Sequence, residues 1–200
     1  MENGEINMEE QPVEGKKPSR LKYVIEGLIY IALIVVCVYV VPKYVIQRTV
    51  VSGESMEDTL HDAESLLIDK ISYRFVDPKR YDIIVFYPKG RDVDEYYVKR
   101  IYGLPGETIQ IKENDIFING EKIDDPYAKD AMSTGGIANE PYTLAEDEYF
   151  VLGDHRSVSQ DSRFTPESSH DKNAPGPVKF ENIAGKVILR IWPLSKLGVP

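Results

Sequence analysis

The sequence predicts a mostly β domain that follows one N-terminal membrane-spanning helix. Residues Tyr23–Val41 are almost continuously apolar, and the only charge among them is Glu26. After residue 45, short runs of branched and aromatic residues alternate with turn residues, and no stretch keeps a helical period. The length of 200 residues suits one domain with room for a modest second lobe.

The N-terminal apolar run has the length of a membrane span. As a helix, residues 23–41 would reach roughly 28 Å at about 1.5 Å per residue, and bilayer hydrocarbon is about 30 Å thick. A buried core helix is the alternative, but a helix that is apolar on every face is unusual in so small a domain. No small-x-small cleavage site follows the run, so we predict an uncleaved anchor.

The residues before the span set its predicted orientation. Residues 1–22 are polar and lack apolar periodicity, so we predict a disordered tail. The end of this tail is basic, with Lys16, Lys17, Arg20 and Lys22. Because basic residues beside a span favour the cytoplasmic side, we expect a cytoplasmic N-terminus, with residues 43–200 outside the cell membrane.

Several runs after the span are predicted to be β-strands. They are rich in branched and aromatic residues and are bounded by turn residues: Ser65–Asp69, Asp82–Tyr87, Tyr96–Ile101, Thr108–Ile111, Asp115–Ile118, Tyr149–Leu152 and Ile183–Trp192. Asn119-Gly120 predicts a tight hairpin, because both residues tolerate a positive φ. Residues 165–179, rich in proline and other turn residues, are predicted to form a mobile loop.

Composition and charge argue against some classes of partner and site. With 24 basic and 33 acidic residues the net charge is −9, which argues against a nucleic-acid partner. The single cysteine, Cys37, permits no intrachain disulfide. His61, His155 and His170 lack the spacing of a zinc site, so we expect no metal.

Three segments contain the residues that could carry chemistry. They are Val51–Leu60, Tyr97–Glu107 and Gly153–Arg163. Taken singly, the first could be a turn, the second a strand with a solvated lysine, and the third a polar loop. Their order along the chain, after one N-terminal span, makes them informative together.

In this order the segments resemble the motifs of the type I signal peptidases. Ser55-Met56 matches the first motif, Lys99-Arg-x-x-Gly-Leu-Pro-Gly the second, and Gly153-Asp-x-Arg-x-x-Ser-x-Asp-Ser-Arg the third. The ending Arg190-Ile-Trp-Pro is similar to that of single-span members from Gram-positive bacteria. The resemblance covers nearly all of residues 23–200. The resemblance implies a catalytic core of coiled antiparallel sheets. Residues 43–106 and 149–200 would form this core, and residues 107–148 would form a small insertion lobe.

The resemblance also implies a role for each matching residue. Ser55 would be the nucleophile and Lys99 its general base, with Ser159 orienting the lysine amine. Asp161 and Arg163 would form a structural ion pair that shapes the site.

A serine–lysine pair requires the pKa of the lysine to be lowered. A serine hydroxyl is a weak nucleophile until a base takes its proton, and a free lysine with a pKa of about 10.4 is protonated at neutral pH. Burial among apolar groups lowers that pKa, and Tyr97 and Ile101 alternate with Lys99 on one strand face. In the family the nucleophile's backbone N–H binds the oxyanion. Gly53 stands where many double-span members add a serine hydroxyl, so the sequence does not identify a second donor.

Two residues depart from the family pattern. Asp58 stands where proline is usual, three residues after Ser55, and His155 replaces the usual asparagine. Without proline the loop is expected to be looser, and Asp58 and Glu57 would add negative charge that favours protonated Lys99. A Ser–His catalyst using His155 is disfavoured, because Lys99 already matches the base.

Together these observations predict a membrane-bound serine endopeptidase that cleaves signal peptides from secretory pre-proteins through an acyl-enzyme. The family prefers small residues at the first and third positions before the cut, and an extended substrate would add as a strand beside the catalytic loop. The resemblance implies no metal or organic cofactor. The expected partners are pre-proteins and the lipid bilayer, whereas the sequence does not indicate an oligomeric state. A diverged, weakly active or non-catalytic homologue is the alternative. A soluble serine–lysine autoprotease of the repressor-cleaving kind is disfavoured by the span.

The first prediction concerns orientation. Protease added to intact cells should digest the chain beyond about residue 45 and spare the tail, because the basic cluster keeps the N-terminus inside. Immunoblotting with tags at each end measures this, and permeabilised cells are the control in which both ends are digested. Protection of the C-terminal tag in intact cells would contradict the predicted orientation.

Overall fold

A computed structural model of the chain describes residues 20–93 and 95–200. The chain divides into two compact units, Met1–Tyr39 and Val40–Pro200. Most of the predicted tail, residues 1–19, lies outside the described residues. Its last three residues, 20–22, are the first residues of a helix.

The first described element is one continuous helix that contains the predicted span. Helix α1 covers Arg20–Val35, π-helical turns follow over Val36–Val40, and helix α2 covers Val41–Tyr44. This helix of 25 residues is long and apolar enough to cross a membrane, and none of its residues is buried. Exposure of its apolar faces argues against the alternative of a buried core helix.

The described residues after the helix contain eleven strands, and every ladder between them is antiparallel. In chain order they are β1 (Ile46–Val50), β2 (Ser65–Asp69), β3 (Ile83–Phe86), β4 (Tyr97–Gly103), β5 (Thr108–Lys112), β6 (Asp115–Ile118), β7 (Glu121–Ile123), β8 (Tyr142–Thr143), β9 (Glu148–Leu152), β10 (Val178–Lys179) and β11 (Ile183–Trp192). Seven of them form a sheet in the order β1-β2-β11-β3-β4-β9-β10, and four form a second sheet in the order β7-β6-β5-β8. The predicted mostly β fold is confirmed.

Irregularities in the longest strand let the large sheet curl. The pairing of β11 with β2 shifts register between Val187 and Leu189 and again between Arg190 and Trp192, and its pairing with β3 shifts once more. Such bulges bend a strand and increase its twist. The result is the coiled antiparallel sheet that was predicted.

The small sheet is built from strands between residues 107 and 148. Strands β6 and β7 are joined by Asn119 and Gly120, whose φ angles are 52° and 84°, and Ile118 pairs with Glu121 across the turn. This is the tight hairpin that the sequence predicts. The boundaries of the predicted insertion lobe themselves stay a prediction.

Apolar residues hold the loop between β1 and β2 on the large sheet. Met56 and Leu60 of this loop are buried in a cluster with Leu66, Val85 and Val187 from three strands. Burying a side chain of this size stabilises the fold by about 1.5–3 kcal/mol. The loop that carries the first motif is therefore fixed to the sheet on the C-terminal side of its serine.

Residues 165–179 are more regular than predicted. Helix α3, Pro166–Ser169, begins with a capping box in which Thr165 Oγ1 accepts from the Ser168 N–H at 3.2 Å and Ser168 Oγ accepts from the Thr165 N–H at 2.9 Å. Strand β10 at the end of this segment pairs with β9. Proline at the first helical position after a capping threonine is a helix start signal, which the turn-rich composition obscured.

Candidate active site

The first and second motifs meet at Ser55 and Lys99. Lys99 lies in β4, where it pairs with Ile84 of β3. Its Nζ donates a hydrogen bond to Ser55 Oγ at 2.8 Å and another to the Val98 carbonyl oxygen at 3.0 Å. Only 4% of Lys99 is exposed, so its amine contacts the hydroxyl away from bulk water. When the amine is neutral, the same contact allows it to take the hydroxyl proton.

Burial lowers the pKa of the Lys99 ammonium from 10.5 to about 8, because loss of water disfavours the charged form. The carboxylates of Asp161 and Asp154 act in the opposite direction. The expectation that the charge of Asp58 opposes deprotonation is wrong. The Asp58 side chain is 77% exposed, and its carboxylate lies 3.5 Å from the Lys129 ammonium. Asp58 therefore pairs with Lys129 and not with Lys99.

Gly153 allows the third motif to approach the loop of the first. A Cβ on Gly153 would overlap both Ser159 Oγ and the Ser55 carbonyl oxygen. Next to it, the His155 N–H donates to the Ser55 carbonyl at 3.1 Å, and the Ser159 N–H donates to the His155 carbonyl at 3.1 Å. Glycine is required at this position for close backbone approach.

Ser159 lies near the dyad without bonding to it. Its hydroxyl is buried and has no hydrogen-bond partner within residues 20–93 and 95–200. An unpaired buried hydroxyl costs about 1–3 kcal/mol. Its predicted role of orienting the Lys99 amine stays a prediction.

Asp161 and Arg163 form a fully buried ion pair in the third motif. Arg163 donates to Asp161 from Nε at 2.8 Å and from a terminal nitrogen at 3.0 Å. Asp161 also accepts from the Gly153 N–H at 3.1 Å, and Arg163 donates to the Arg156 carbonyl at 2.7 Å. The pair thus closes the loop from Gly153 to Arg163 on itself.

A second buried ion pair joins all three motifs, and the sequence did not reveal it. Arg100 donates to Asp154 from Nε at 3.0 Å and from a terminal nitrogen at 2.7 Å. The Thr59 hydroxyl donates to the same carboxylate at 2.5 Å. Arg100 adjoins Lys99 and Asp154 adjoins Gly153 in the motifs, and that adjacency was the only available signal.

Arg156 connects the third motif to the segment before β8. This buried guanidinium donates to the Gly153 carbonyl at 2.9 Å, to Asp125 at 2.8 Å and to the Tyr102 hydroxyl at 2.8 Å. Asp125 also accepts from Tyr102 at 2.5 Å. The arginine of the third motif therefore fixes residues of the predicted insertion lobe against β4.

Backbone N–H groups near Ser55 differ in their availability. The Gly53 N–H is engaged by Asp62 Oδ1 at 2.9 Å. Among the described residues the Ser55 N–H has no acceptor, so it can donate to an oxyanion that develops beside Ser55.

His155 lies in the loop network and not at the nucleophile. Its Nδ1 is 3.2 Å from the Glu54 carbonyl oxygen, and its Nε2 is 3.8 Å from the carboxylate of Asp130. No hydrogen bond joins it to Ser55 Oγ in the described part of the chain. The geometry is that of a residue which supports the loop.

The described residues include no group of three or more side chains that could hold a metal ion.

A cleft of about 900 Å³ opens over the dyad. One wall is the backbone from Thr49 to Met56, and the other runs from Glu95 to Lys99. Val158 and Gln160 of the third motif complete the lining. The Ser55 hydroxyl is thus accessible from a groove that is lined by the end of β1, the loop of the first motif and the start of β4.

Known proteins similar to this chain share one description. A family model described as signal peptidase, peptidase S26, matches residues 23–192. A signal peptidase I from Leptolyngbya laminosa is 35% identical over 179 residues, which are 86% of this chain and 82% of that protein. Signal peptidase IB from Staphylococcus aureus strain COL is 30% identical over 193 residues, 88% of this chain and 93% of that protein. A crystal structure of a signal peptidase I from Enterococcus faecalis V583 is 28% identical, covers 56% of this chain and 97% of that chain, and has a TM-score of 0.40.

The lowered pKa of Lys99 can be measured directly. In an NMR titration of protein with ¹³C-labelled lysines, the Lys99 signal should move with a midpoint near pH 8, because its ammonium is desolvated. The amine is then charged below this pH and neutral above it. Loss of the signal in Lys99→Gln assigns it. A Lys99 midpoint at about 10.4, the value of a free lysine, would contradict the argument from burial.

An ion pair is predicted to steady the loop that carries Ser55. Lys129 Nζ lies 2.7 Å from Glu57 and 3.5 Å from Asp58, while the Lys129 N–H donates to the Asp154 carbonyl at 2.8 Å. Because the pair is partly exposed, Lys129→Met should speed amide hydrogen exchange in residues 53–59 by at most about fivefold.

The control for this measurement is Lys112, which forms no ion pair within the described part of the chain, so Lys112→Met should leave the exchange rates unchanged. Exchanging the two charges, in Glu57→Lys with Lys129→Glu, should restore much of the protection. Suppose that amide hydrogens in residues 53–59 exchange as slowly in Lys129→Met and in the charge-reversed double variant as in the parent chain. The ion pair then does not steady the loop.

Proposed function

The chain belongs to the signal peptidase family, peptidase S26, and from this premise we propose that it removes signal peptides from exported pre-proteins with a serine–lysine dyad. The observation that carries the dyad is the 2.8 Å contact between Lys99 Nζ and Ser55 Oγ. The dyad is also supported by the burial of Lys99, which lowers the pKa of its ammonium to about 8. A fraction of the amine is therefore neutral at physiological pH and can act as a base.

The first half of the proposed reaction forms an acyl-enzyme. Neutral Lys99 takes the proton of Ser55 while Oγ bonds to the carbonyl carbon of the scissile peptide. The Ser55 N–H donates to the oxygen that becomes negative. The carbon–nitrogen bond then breaks, and Lys99 returns the proton to the departing amine, which becomes the N-terminus of the mature protein.

The second half releases the signal peptide. Water loses a proton to Lys99, and its oxygen attacks the ester carbon. The bond to Ser55 Oγ breaks, and Oγ regains its proton from Lys99. The signal peptide leaves with a new carboxyl group, which loses its proton to water, and both residues return to their starting states.

The cleft supports binding of the substrate as an added strand. The ladder between β4 and β9 begins at Arg100, so the β4 backbone from Tyr97 to Lys99 has no strand from β9 beside it. These residues form one wall of the cleft, and residues 49–53 form the other. Main-chain pairing there would provide affinity, and side-chain pockets beside Ser55 would select small residues.

The N-terminal helix supports membrane attachment. A substrate whose signal segment lies in the same bilayer would meet the enzyme at a raised effective concentration. We propose that the chain is a single-pass membrane protein with a cytoplasmic N-terminus and an extracytoplasmic catalytic domain. No observation on the described residues favours the non-catalytic alternative, since serine and lysine lie in hydrogen-bond contact.

Incubation of the detergent-solubilised chain with a pre-protein, followed by mass spectrometry of the products, tests the proposal. A pre-protein with alanine at the first and third positions before the cut should lose its signal peptide at that bond. Replacing the alanine at the first position by a large aromatic residue should abolish the cut. If both substrates are cleaved equally, the proposed selection of small residues is wrong.

Variants of the dyad give the expected loss of turnover. Ser55→Ala and Lys99→Ala should each reduce kcat by about 10⁴-fold or more, and the double variant should lose little further, because the two act as one unit. Lys99→Arg should be equally inactive, since arginine keeps its proton at any working pH.

The control for the dyad is His155→Ala, which should retain most of the turnover because His155 makes no contact with Ser55 Oγ. Circular dichroism of each variant checks that the fold is intact. A Lys99→Ala variant that keeps substantial kcat, together with an inactive His155→Ala, would show that the base is not Lys99.

A further inference from the structure

A second cavity of about 220 Å³ shares no residue with the catalytic cleft. Four cationic side chains line it, those of Lys43, Lys70, Arg74 and Arg91, whereas Glu181 is its only acidic lining residue. This excess of positive charge stands out in a chain whose net charge is −9. A cavity of this composition suits an anionic ligand.

Carboxylates do not neutralise the cations of this basic pocket. Within the described chain, Lys43 and Arg74 form no ion pair, and Lys70 Nζ donates to the side-chain oxygen of Gln47 at 2.9 Å. The guanidinium of Arg91 donates to two backbone carbonyls, one of them that of Ile183 at 2.9 Å. Neutral acceptors position these groups but leave their charge available.

The pocket includes the end of the candidate membrane span. Lys43 and Tyr44 are the last residues of the helix Arg20–Tyr44, and the apolar run stops at Val41. Residues that follow a span at this distance lie at head-group level, where tyrosine and lysine are common. Beside Arg74, Phe75 is 80% exposed and Val76 is 55% exposed, so apolar side chains adjoin the basic ones. Basic residues with neighbouring exposed apolar residues are typical of a surface that meets a bilayer.

We propose that the basic pocket binds the phosphate of an anionic phospholipid head group in the membrane that holds the anchor. Its volume admits a phosphodiester but is smaller than the roughly 300–1,000 Å³ of pockets for larger organic ligands. A free phosphate shares this chemistry, but the position of Lys43 and Tyr44 at the end of the span favours the lipid. The inference rests on the proposed membrane anchor and is independent of the proposed catalysis.

Native mass spectrometry of the full chain released from mixed micelles tests this site. The micelles contain phosphatidylcholine with increasing phosphatidylglycerol, and the lipids retained by the protein are counted. The parent chain should retain phosphatidylglycerol in preference to phosphatidylcholine. Since each lysine or arginine near an anionic surface contributes about fivefold to affinity, Lys70→Gln with Arg74→Gln should bind phosphatidylglycerol roughly 30-fold more weakly.

A matched double variant controls for net charge. Lys112→Gln with Lys172→Gln removes the same charge from two exposed lysines outside the pocket, and it should retain phosphatidylglycerol like the parent chain. Arg74→Gln alone, which removes an exposed side chain without hydrogen bonds in the described residues, should weaken retention about fivefold even if the double variant fails to fold. Inorganic phosphate, added alone, should bind far more weakly than phosphatidylglycerol.

Three results would overturn the proposal. They are equal retention by the pocket variants and the matched control, equal retention of the two lipids by the parent chain, and tight binding of inorganic phosphate without a preference for phosphatidylglycerol. Flotation of the chain with purely zwitterionic vesicles reports the anchor separately, and cleavage of a pre-protein in detergent reports catalysis. Failure of the head-group site is thereby distinguished from failure of the proposed function.

Discussion

The buried ion pair between Arg100 and Asp154 is the interaction on which the geometry of the site depends. Arg100 follows the proposed base in β4, Asp154 follows the glycine that contacts the nucleophile loop, and Thr59 of that loop donates to the same carboxylate. Removing one partner of such a pair leaves an uncompensated buried charge at a cost of about 3–5 kcal/mol. The contact between Ser55 and Lys99 is therefore set by neighbours that never meet the substrate.

The same architecture sets the electrostatics of the lysine. Burial lowers the pKa of Lys99, while Asp161 and Asp154 raise it. Each of these carboxylates is bound by its own arginine, Arg163 or Arg100, whose positive charge offsets the field at the amine. Desolvation wins because the acidic groups that build the site are already neutralised by partners.

Local sequence patterns predicted most of the fold. The strands that were not predicted depend on contacts between distant parts of the chain or lack a clear local pattern. The apolar run, the strands rich in branched side chains and the Asn119-Gly120 turn can each be recognised from a few consecutive residues. All three are present in the structure. Strand β10 has only two residues and owes its existence to pairing with β9, so no local pattern could reveal it. The strand β1 was missed for a related reason, because its polar Gln47 and Arg48 dilute the branched residues around them.

At the site, the resemblance supplied candidate residues, and the fold supplied their surroundings. The role of Asp58 was misjudged because its partner, Lys129, is 71 residues away in sequence and no local pattern connects them. The pairing of Arg100 with Asp154 spans 54 residues and is equally invisible to a motif. The surroundings of the Ser159 hydroxyl could not have been predicted either, since it is buried without a hydrogen-bond partner among the described residues.

The open side of β4 has a consequence for solubility. An unpaired strand backbone is a template for any extended chain, including another copy of the same protein, and natural sheets protect such edges with charge. Lys99 lies on this stretch, with its side chain directed into the protein and protonated for the most part below a pH of about 8. A strand from another copy that paired here would have to pack against that amine and the hydroxyl beside it. Lys99 thus gives this edge an inward-pointing charge, a feature that discourages pairing with another copy of the chain.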